Sequence, residues 1–178
     1  ALTRLRNALR NEGQAIQYIL VEAGEYWLDA ARFSVDVDAF DAALAKARNM
    51  SGEQAAYWEE QAVNLYHGQY MENLYYDWVM PERNRLEQAY LSVLHRLASF
   101  KLSKGDHAAA LDLLKRGLHA DPLAENIHCQ VLRVHAASKD KSALIRHFRT
   151  MSELLQAELG TQPMLSTSKL YQELLGEL

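Results

Sequence analysis

Apolar side chains recur every three or four residues along most of the chain after Asp36, which is the spacing of one face of an α-helix. One such face follows Asp36, another begins near Pro81, and a third ends at Gly160. Proline is favoured in the first turn of a helix, and glycine is favoured just past its end. The pattern therefore predicts a mainly α chain. The predicted inward positions are Val37, Phe40, Leu44 and Ala47 in the first helix, Leu86, Tyr90, Val93, Leu94, Leu97 and Phe100 in the second, and Leu144, Phe148, Met151, Leu155 and Leu159 in the third.

The first thirty residues follow a different pattern. In positions 1–9, helical spacing places three leucines on one face, and Arg4 and Arg6 lie outside that face. Positions 16–28 alternate with a period of two, interrupted by a turn signal at 22–25. We therefore expect a short helix and then a β-hairpin.

A repeated unit is visible in the second half of the chain. Its small residues and leucines fit the tetratricopeptide unit, a helix-turn-helix of about 34 residues. Ala98 and Ala110 are expected where two antiparallel helices cross, Gly105 at the left-handed end of the first helix, and Asp106 as the cap of the second. Similar helices also occur in ordinary bundles. The positions that fit the unit are Leu94, Leu97, Ala98, Gly105, Ala110, Leu114, Gly117 and Pro122, and Ser142, Ala143 and Leu144 repeat Ala109, Ala110 and Leu111 at a distance of 33 positions.

A single unit of this kind leaves its apolar face uncovered, so about three stacked units are expected. We predict units at 51–90, 91–124 and 125–160, followed by a capping helix at 166–175. The fold class expected is a tetratricopeptide-like antiparallel helical-repeat array, preceded by the short helix and hairpin. We place one domain at residues 1–30 and a second at 36–178.

Composition narrows the function classes. The chain has 178 residues, 49% of them hydrophobic, and a net charge of -4, so overall charge gives no attraction to nucleic acid. Cys129 is the only cysteine, which excludes an internal disulfide and fits a reducing cytoplasm. No apolar run approaches a membrane span, and no leader pattern opens the chain. Because the sequence begins inside an apparent helix, we expect it to be part of a longer polypeptide.

Catalytic and metal-binding patterns are absent from the sequence. Among the seven histidines no two lie three or four residues apart, and His128 and His135 are separated by seven positions, too far for one ion without help from another segment. Neither a nucleophile elbow nor a glycine-rich phosphate loop occurs. Cys129 falls in a predicted helix, where an inert thiol is expected. We expect no enzyme activity, no metal and no cofactor.

Aromatic residues concentrate between positions 57 and 78. Tyrosine and tryptophan combine large apolar faces with a polar group and are enriched at the centres of interfaces. Tyr66 and Trp78 are expected in the core, where they would hold the irregular segment 68–80 on the helices, with exposure for binding as the alternative. Arg83 and Arg85 are expected on a solvated helix face, with a basic rim as the alternative. The candidate partner surface consists of Tyr66, Tyr70, Tyr75, Tyr76, Trp78 and Arg83.

Several motifs resemble known families. TRLRNAL and the GEYWL run at 24–28 resemble the recognition-helix end and the last wing strand of a response-regulator-type winged helix. The run LYHGQYMENLYYDWVMPERNRLEQAYLSVLHRLA, with GDHAAALDLLKRGLHADPLAENIH and LLQAELGTQP, is similar to a bacterial transcriptional activator domain. The resemblance implies a transcription regulator and makes Arg4, Arg6 and Gly24 candidate DNA contacts. A solvated amphipathic helix is the alternative for the arginines.

The leading hypothesis is therefore a regulatory and protein-interaction region that couples a signal or partner to a winged-helix DNA-binding domain. Its expected partners are other domains of the regulator, another subunit or RNA polymerase, with a homodimer as a further possibility. DNA would be bound only through the complete winged helix, whose earlier helices are not in this sequence. The alternatives are a small-molecule-sensing helical-repeat domain and a generic repeat scaffold without a role in transcription.

Overall fold

The computed structural model describes residue 4, residues 18–29 and residues 32–178. The chain divides into two compact units, 1–39 and 40–178. In the first unit, strands β1 (Ile19–Glu22) and β2 (Glu25–Leu28) pair antiparallel, with Ile19 opposite Leu28 and Glu22 opposite Glu25. Ala23 and Gly24 both have positive φ, as a two-residue hairpin turn requires. The predicted hairpin is confirmed. The predicted helix before it lies outside the described residues except for Arg4, which is helical and exposed.

Seven helices follow in the described part of the chain, and the predicted mainly α, tetratricopeptide-like fold is confirmed. Among α2 to α6, each helix packs against the next in sequence order, and α7 covers α5 and α6 as the predicted capping helix. The helices are α1 (Asp36–Arg48), α2 (Gly52–Leu65), α3 (Val79–Ser103), α4 (His107–Ala120), α5 (Glu125–Ala137), α6 (Lys141–Leu159) and α7 (Leu165–Gly176).

The repeat is most regular at the helix starts. Asp106 caps α4 by accepting a hydrogen bond from the backbone N–H of Ala109, and Asp140 caps α6 through the N–H of Ala143. The residue before each cap, Gly105 or Lys139, has the left-handed conformation. The caps lie 34 positions apart, so the predicted offset of 33 is wrong by one residue. The carboxylate caps set the register, whereas the prediction aligned small residues.

Two other predictions about these helices are corrected. A unit boundary after Tyr90 is wrong, because α3 continues unbroken from Val79 to Ser103. Leu159, predicted to face inward, is 55% exposed in the last turn of α6, immediately before the left-handed Gly160.

The core between α3, α4 and α5 contains the two predicted small residues. Ala98 and Ala110 are fully buried in one cluster with Leu114, Ile127 and Val131. A second cluster joins α5, α6 and α7, where the rings of Phe148 and Tyr171 stack at 3.9 Å.

We expect Ala110→Leu to lower the free energy of unfolding by about 1–3 kcal/mol, because the added methyl groups have no space in this closed cluster. Urea denaturation measures the change. The matched control is Ala108→Leu in the same helix, since Ala108 is exposed and its replacement adds no steric conflict. Equal stability of the two variants would contradict the packing assigned to Ala110.

Candidate partner-binding surface

Residues 66–78 connect α2 to α3 and form the aromatic segment. The segment has no regular secondary structure, and its path includes positive φ at Gly68 and Met71. Two backbone hydrogen bonds stabilise its turns, from the N–H of Leu74 to the carbonyl of Met71 and from the N–H of Val79 to the carbonyl of Tyr76, both at 2.9 Å. These few internal bonds would not by themselves fix such a segment.

Arg83 fixes the segment from within α3. Its guanidinium donates to the carbonyl oxygens of Tyr70 at 2.8 Å and Leu74 at 3.1 Å, and also to that of Met71. The residue is only 7% exposed. Both the solvated helix face and the basic rim predicted for Arg83 are therefore wrong, since its charge lies against backbone carbonyl groups instead of facing solvent or a partner.

The next arginine along α3 is also neutralised. Arg85 forms a two-pronged pair with Asp41, at 2.9 and 2.8 Å, and a second pair with Glu82. These hydrogen bonds raise the pKa of the Arg85 guanidinium. Neither arginine contributes a free positive charge near the aromatic segment.

Three aromatic side chains of the segment are exposed, and we call them the aromatic ledge: Tyr75 at 82%, Tyr76 at 58% and Trp78 at 59%. The rings of Tyr76 and Trp78 are parallel within 6°, with centroids 6.2 Å apart. The core role expected for Trp78 is therefore wrong. Binding of a partner by the aromatic ledge stays a prediction.

Tyr66 and Tyr70 differ from the ledge. Tyr66 is half-buried and stacks on Tyr90 of α3 with centroids 4.0 Å apart, as expected for a residue that packs the segment onto the helices. Burial raises the pKa of Tyr66, and nearby Glu87 raises it further. Tyr70 is also half-buried. Both side chains are less exposed than those of the ledge, and their role in binding a partner stays a prediction.

A groove of about 600 Å³ lies between the beginning of the segment, α3 and α4. Burial raises the pKa of Glu87 in this groove, the carboxylate of Asp121 adds to the rise, and Arg83 opposes it. Arg116 is partly committed, because its guanidinium donates to the carbonyl of Val63 at 3.0 Å. The lining combines apolar and polar surface and carries both signs of charge: Tyr66, His67, Gly68, Gln69, Glu72, Glu87, Tyr90, Asp112, Lys115, Arg116, His119 and Ala120.

The family model of the bacterial transcriptional activator domain matches residues 28–175. The chain belongs to this family. A solved structure of Mycobacterium tuberculosis EmbR in complex with a low affinity phosphopeptide is similar, with a TM-score of 0.69 and 19% sequence identity. The similarity covers 90% of this chain and 44% of that one, so this chain spans less than half of that length. At this identity the likeness shows the fold. The comparison with curated proteins gave no match.

The aromatic segment and the groove both lie inside this activator domain. The family is defined as a transcriptional activator domain and is not a class of enzyme. Within the described ranges, no helix is both long and apolar enough to cross a bilayer.

The activator domain also contains a histidine cluster that sequence reasoning missed. His147 of α6 reaches His128 of α5, with its Nε2 3.0 Å from the Nδ1 of His128, and its ring centroid is 6.0 Å from that of His135. Burial, with smaller contributions from the other two histidines, lowers the pKa of His147 to about 4. Across residues 18–29 and 32–178, no group of three or more His, Cys, Asp or Glu side chains is arranged to hold a metal ion.

The predicted DNA contacts lie in the first unit. Arg4 is exposed, Arg6 lies outside the described residues, and Gly24 occupies the hairpin turn with a φ of 86°. Ile19 is buried, and the other three residues of β1 and all four of β2 are exposed. Contact of Arg4, Arg6 and Gly24 with DNA stays a prediction.

Proposed function

We propose that the chain is the regulatory and protein-interaction region of a bacterial transcription regulator, which couples a partner or signal to a winged-helix DNA-binding domain. Membership of the activator-domain family supports the role in transcription. The observation that carries the interaction role is the aromatic ledge, three exposed aromatic side chains on a segment that a buried arginine holds in place.

The ledge has the properties of an interface centre. Exposed tyrosine and tryptophan side chains bury large areas on binding and lose little side-chain entropy. A segment that is already ordered avoids much of the ordering cost of association. The partner we propose is a polypeptide: another domain of the regulator, another subunit, or RNA polymerase.

The winged-helix part of the proposal rests on the first thirty residues. The hairpin with its Gly24 turn and the exposed Arg4 agree with the wing and recognition-helix end expected from the motifs. Arginines on an exposed helix bind phosphates or guanine edges, while a wing contacts the neighbouring backbone. We propose Arg4, Arg6 and Gly24 as contacts made when the winged helix is complete.

A small-molecule sensor is the second candidate, and the groove of about 600 Å³ favours it by size. The lining argues for a polypeptide instead. Ligand pockets are mostly apolar with a few polar groups, whereas this groove is open and includes Glu72, Glu87, Asp112 and Lys115. A charged peptide extending from the ledge would fit such a surface better than an apolar metabolite.

The proposal predicts that two sets of substitutions separate the two activities of the complete regulator. Arg4→Ala with Arg6→Ala should weaken binding to duplex DNA and reduce the salt slope by about one for each lost phosphate contact. Tyr76→Ala with Trp78→Ala should leave DNA binding unchanged and abolish capture of the protein partner. Fluorescence anisotropy over a salt series measures the first, and pull-downs against RNA polymerase and against the regulator itself measure the second.

Each arm serves as the control for the other. Unchanged partner capture and unchanged transcription by the Tyr76→Ala, Trp78→Ala variant would contradict the interaction role. An unchanged salt slope in the arginine variant would contradict the DNA contacts.

A further inference from the structure

The charged residues of the chain stretch that contains the aromatic ledge have one sign. Residues 68–82 contain three acidic side chains, Glu72, Asp77 and Glu82, and no lysine, arginine or histidine. Glu82 is paired with Arg85. No ion pair within the described residues includes Glu72 or Asp77, and both residues are exposed. The ledge is thus an aromatic surface with a net negative rim.

The nearest arginines do not offset this charge. The Arg83 guanidinium is buried against the carbonyl groups of the segment, and the Arg85 guanidinium is shared between Asp41 and Glu82. Glu72 lines the groove together with Lys115 and Arg116, whereas Asp77 is not a groove residue and lies between two residues of the ledge in the sequence. A cation that approaches the ledge from solvent therefore meets the carboxylate of Asp77, which has no ion-pair partner within the described residues. Polyanions such as DNA or RNA are repelled by the same charge.

The parallel rings of Tyr76 and Trp78 add a second preference for cations. Aromatic faces attract guanidinium and ammonium groups, most strongly on tryptophan, and the planar guanidinium also stacks on the ring. The same stretch of chain contains three exposed apolar side chains, Met71, Leu74 and Met80. An occupant that uses the whole surface therefore needs both a cation and apolar side chains.

We propose that the aromatic ledge binds an arginine-bearing apolar segment of another polypeptide, with a guanidinium over the rings of Tyr76 and Trp78 and within reach of Asp77 or Glu72. This inference rests on the proposed protein-interaction function and specifies the chemistry of the partner. A second copy of the chain is a poorer occupant, because a two-fold contact through the ledge would bring Glu72 and Asp77 close to the same residues of the copy.

The test uses the full chain and synthetic peptides as probes. One amphipathic peptide carries leucines and arginines, a second has each arginine replaced by glutamine, and a third by glutamate. Isothermal titration with the unmodified chain should show the arginine peptide binding at least about tenfold more tightly than the glutamine peptide. The glutamate peptide should show no binding.

Variants of the chain assign the effect to the ledge. Tyr76→Leu with Trp78→Leu keeps apolar area and removes the ring faces, so the advantage of the arginine peptide should be lost. Glu72→Gln with Asp77→Asn should lower its affinity several-fold and flatten its salt dependence. Tyr57→Leu is the matched control, because Tyr57 is 54% exposed on α2 and lies outside the segment.

The outcomes separate this inference from the proposed function. Equal binding of the arginine and glutamine peptides, or no binding of the arginine peptide, overturns the cationic partner. If the Tyr76→Ala, Trp78→Ala regulator still fails to capture its partner in that case, the interaction function stands. If sedimentation shows that the leucine variant dissociates a dimer, the occupant is a second copy and the inference is wrong.

Discussion

Replacing Arg83 with methionine should lower the free energy of unfolding by about 2–3 kcal/mol, because charge-assisted hydrogen bonds to three backbone carbonyls are lost while the apolar stem is kept. The loss should be local as well as global. Hydrogen exchange should quicken at the backbone N–H of Leu74 and Val79, which make the turns of the aromatic segment.

Arg85→Met is the matched control two residues along the same helix. The side chains of Arg85 and Asp41 are 45% and 44% exposed, so hydration of the two charges compensates for much of the stability lost with their ion pair. We expect the control to cost less than about 1 kcal/mol. Equal losses in urea denaturation, or unchanged exchange at Leu74, would show that Arg83 does not hold the segment.

The same substitution connects stability with binding. Arg83→Met changes no residue of the aromatic ledge, yet it should weaken partner capture because the segment must then be ordered during association. A variant that loses exchange protection but keeps full capture would show that the ledge does not depend on prior order.

Local signals explain which parts of the fold were predictable. The structure confirms the helix end predicted from Gly105, the cap predicted from Asp106 and the buried face predicted from the spacing of leucines in α3. Each of these signals determines the conformation only of residues close to it in sequence. The Ala23-Gly24 turn is equally local. The repeat register is a longer-range property, and sequence alignment of small residues placed it one residue off.

The errors concern polar residues on buried faces. Arg83 precedes Leu86 by three positions and Tyr90 by seven, so it occupies the inward stripe of α3. His147 similarly lies three residues after Leu144 and four before Met151. A polar residue on an apolar stripe was the available signal in both cases. The partner of such a polar residue depends on the path of another segment of the chain. The spacing of apolar residues carries no information about that path.

The exposure of Trp78 was unpredictable for a related reason. An aromatic residue beside a helix start packs inward or outward according to the course of the preceding loop. Here Arg83 sets that course by binding the carbonyls of Tyr70 and Leu74. The orientation of the ledge is therefore a consequence of a tertiary contact.

The histidine cluster makes a second large effect expected, an acid-dependent loss of stability. The Nε2 of His128 lies 2.9 Å from the carbonyl oxygen of Pro122, which only accepts, so His128 carries its proton there and its Nδ1 accepts from the Nε2–H of His147 at 3.0 Å. This arrangement requires a neutral His128, and burial favours the neutral form of His147 as well. Around it, Glu125 and Asp121 favour a charged His128, but burial outweighs them and lowers its pKa.

The imidazole of His135 also favours its neutral form. Burial lowers the pKa of His135 as the largest effect, Arg146 and Lys115 lower it further, and Asp140 opposes them. Three neighbouring imidazoles therefore resist protonation in the folded protein. Each added proton would also repel the next.

The direction of the pH effect follows from His147, whose pKa falls from 6.5 to about 4 on folding. Between these values the unfolded chain binds more protons than the folded one, so acid favours unfolding. Stability present above pH 6.5 should decline as the pH falls towards 4, by on the order of 2 kcal/mol between pH 7 and pH 5. Urea denaturation in this range avoids most carboxylate titration, which occurs at lower pH.

His147→Gln tests the assignment, because glutamine keeps a hydrogen-bond donor for His128 and does not titrate. Its stability should depend less steeply on pH than that of the unmodified chain, whereas His119→Gln, at an exposed histidine of α4, should preserve the original slope. Parallel pH profiles for His147→Gln and the unmodified chain would mean that other groups carry the effect. A flattened profile would show that the contact between α5 and α6, which joins two helices of the repeat, loses stability when its histidines are protonated.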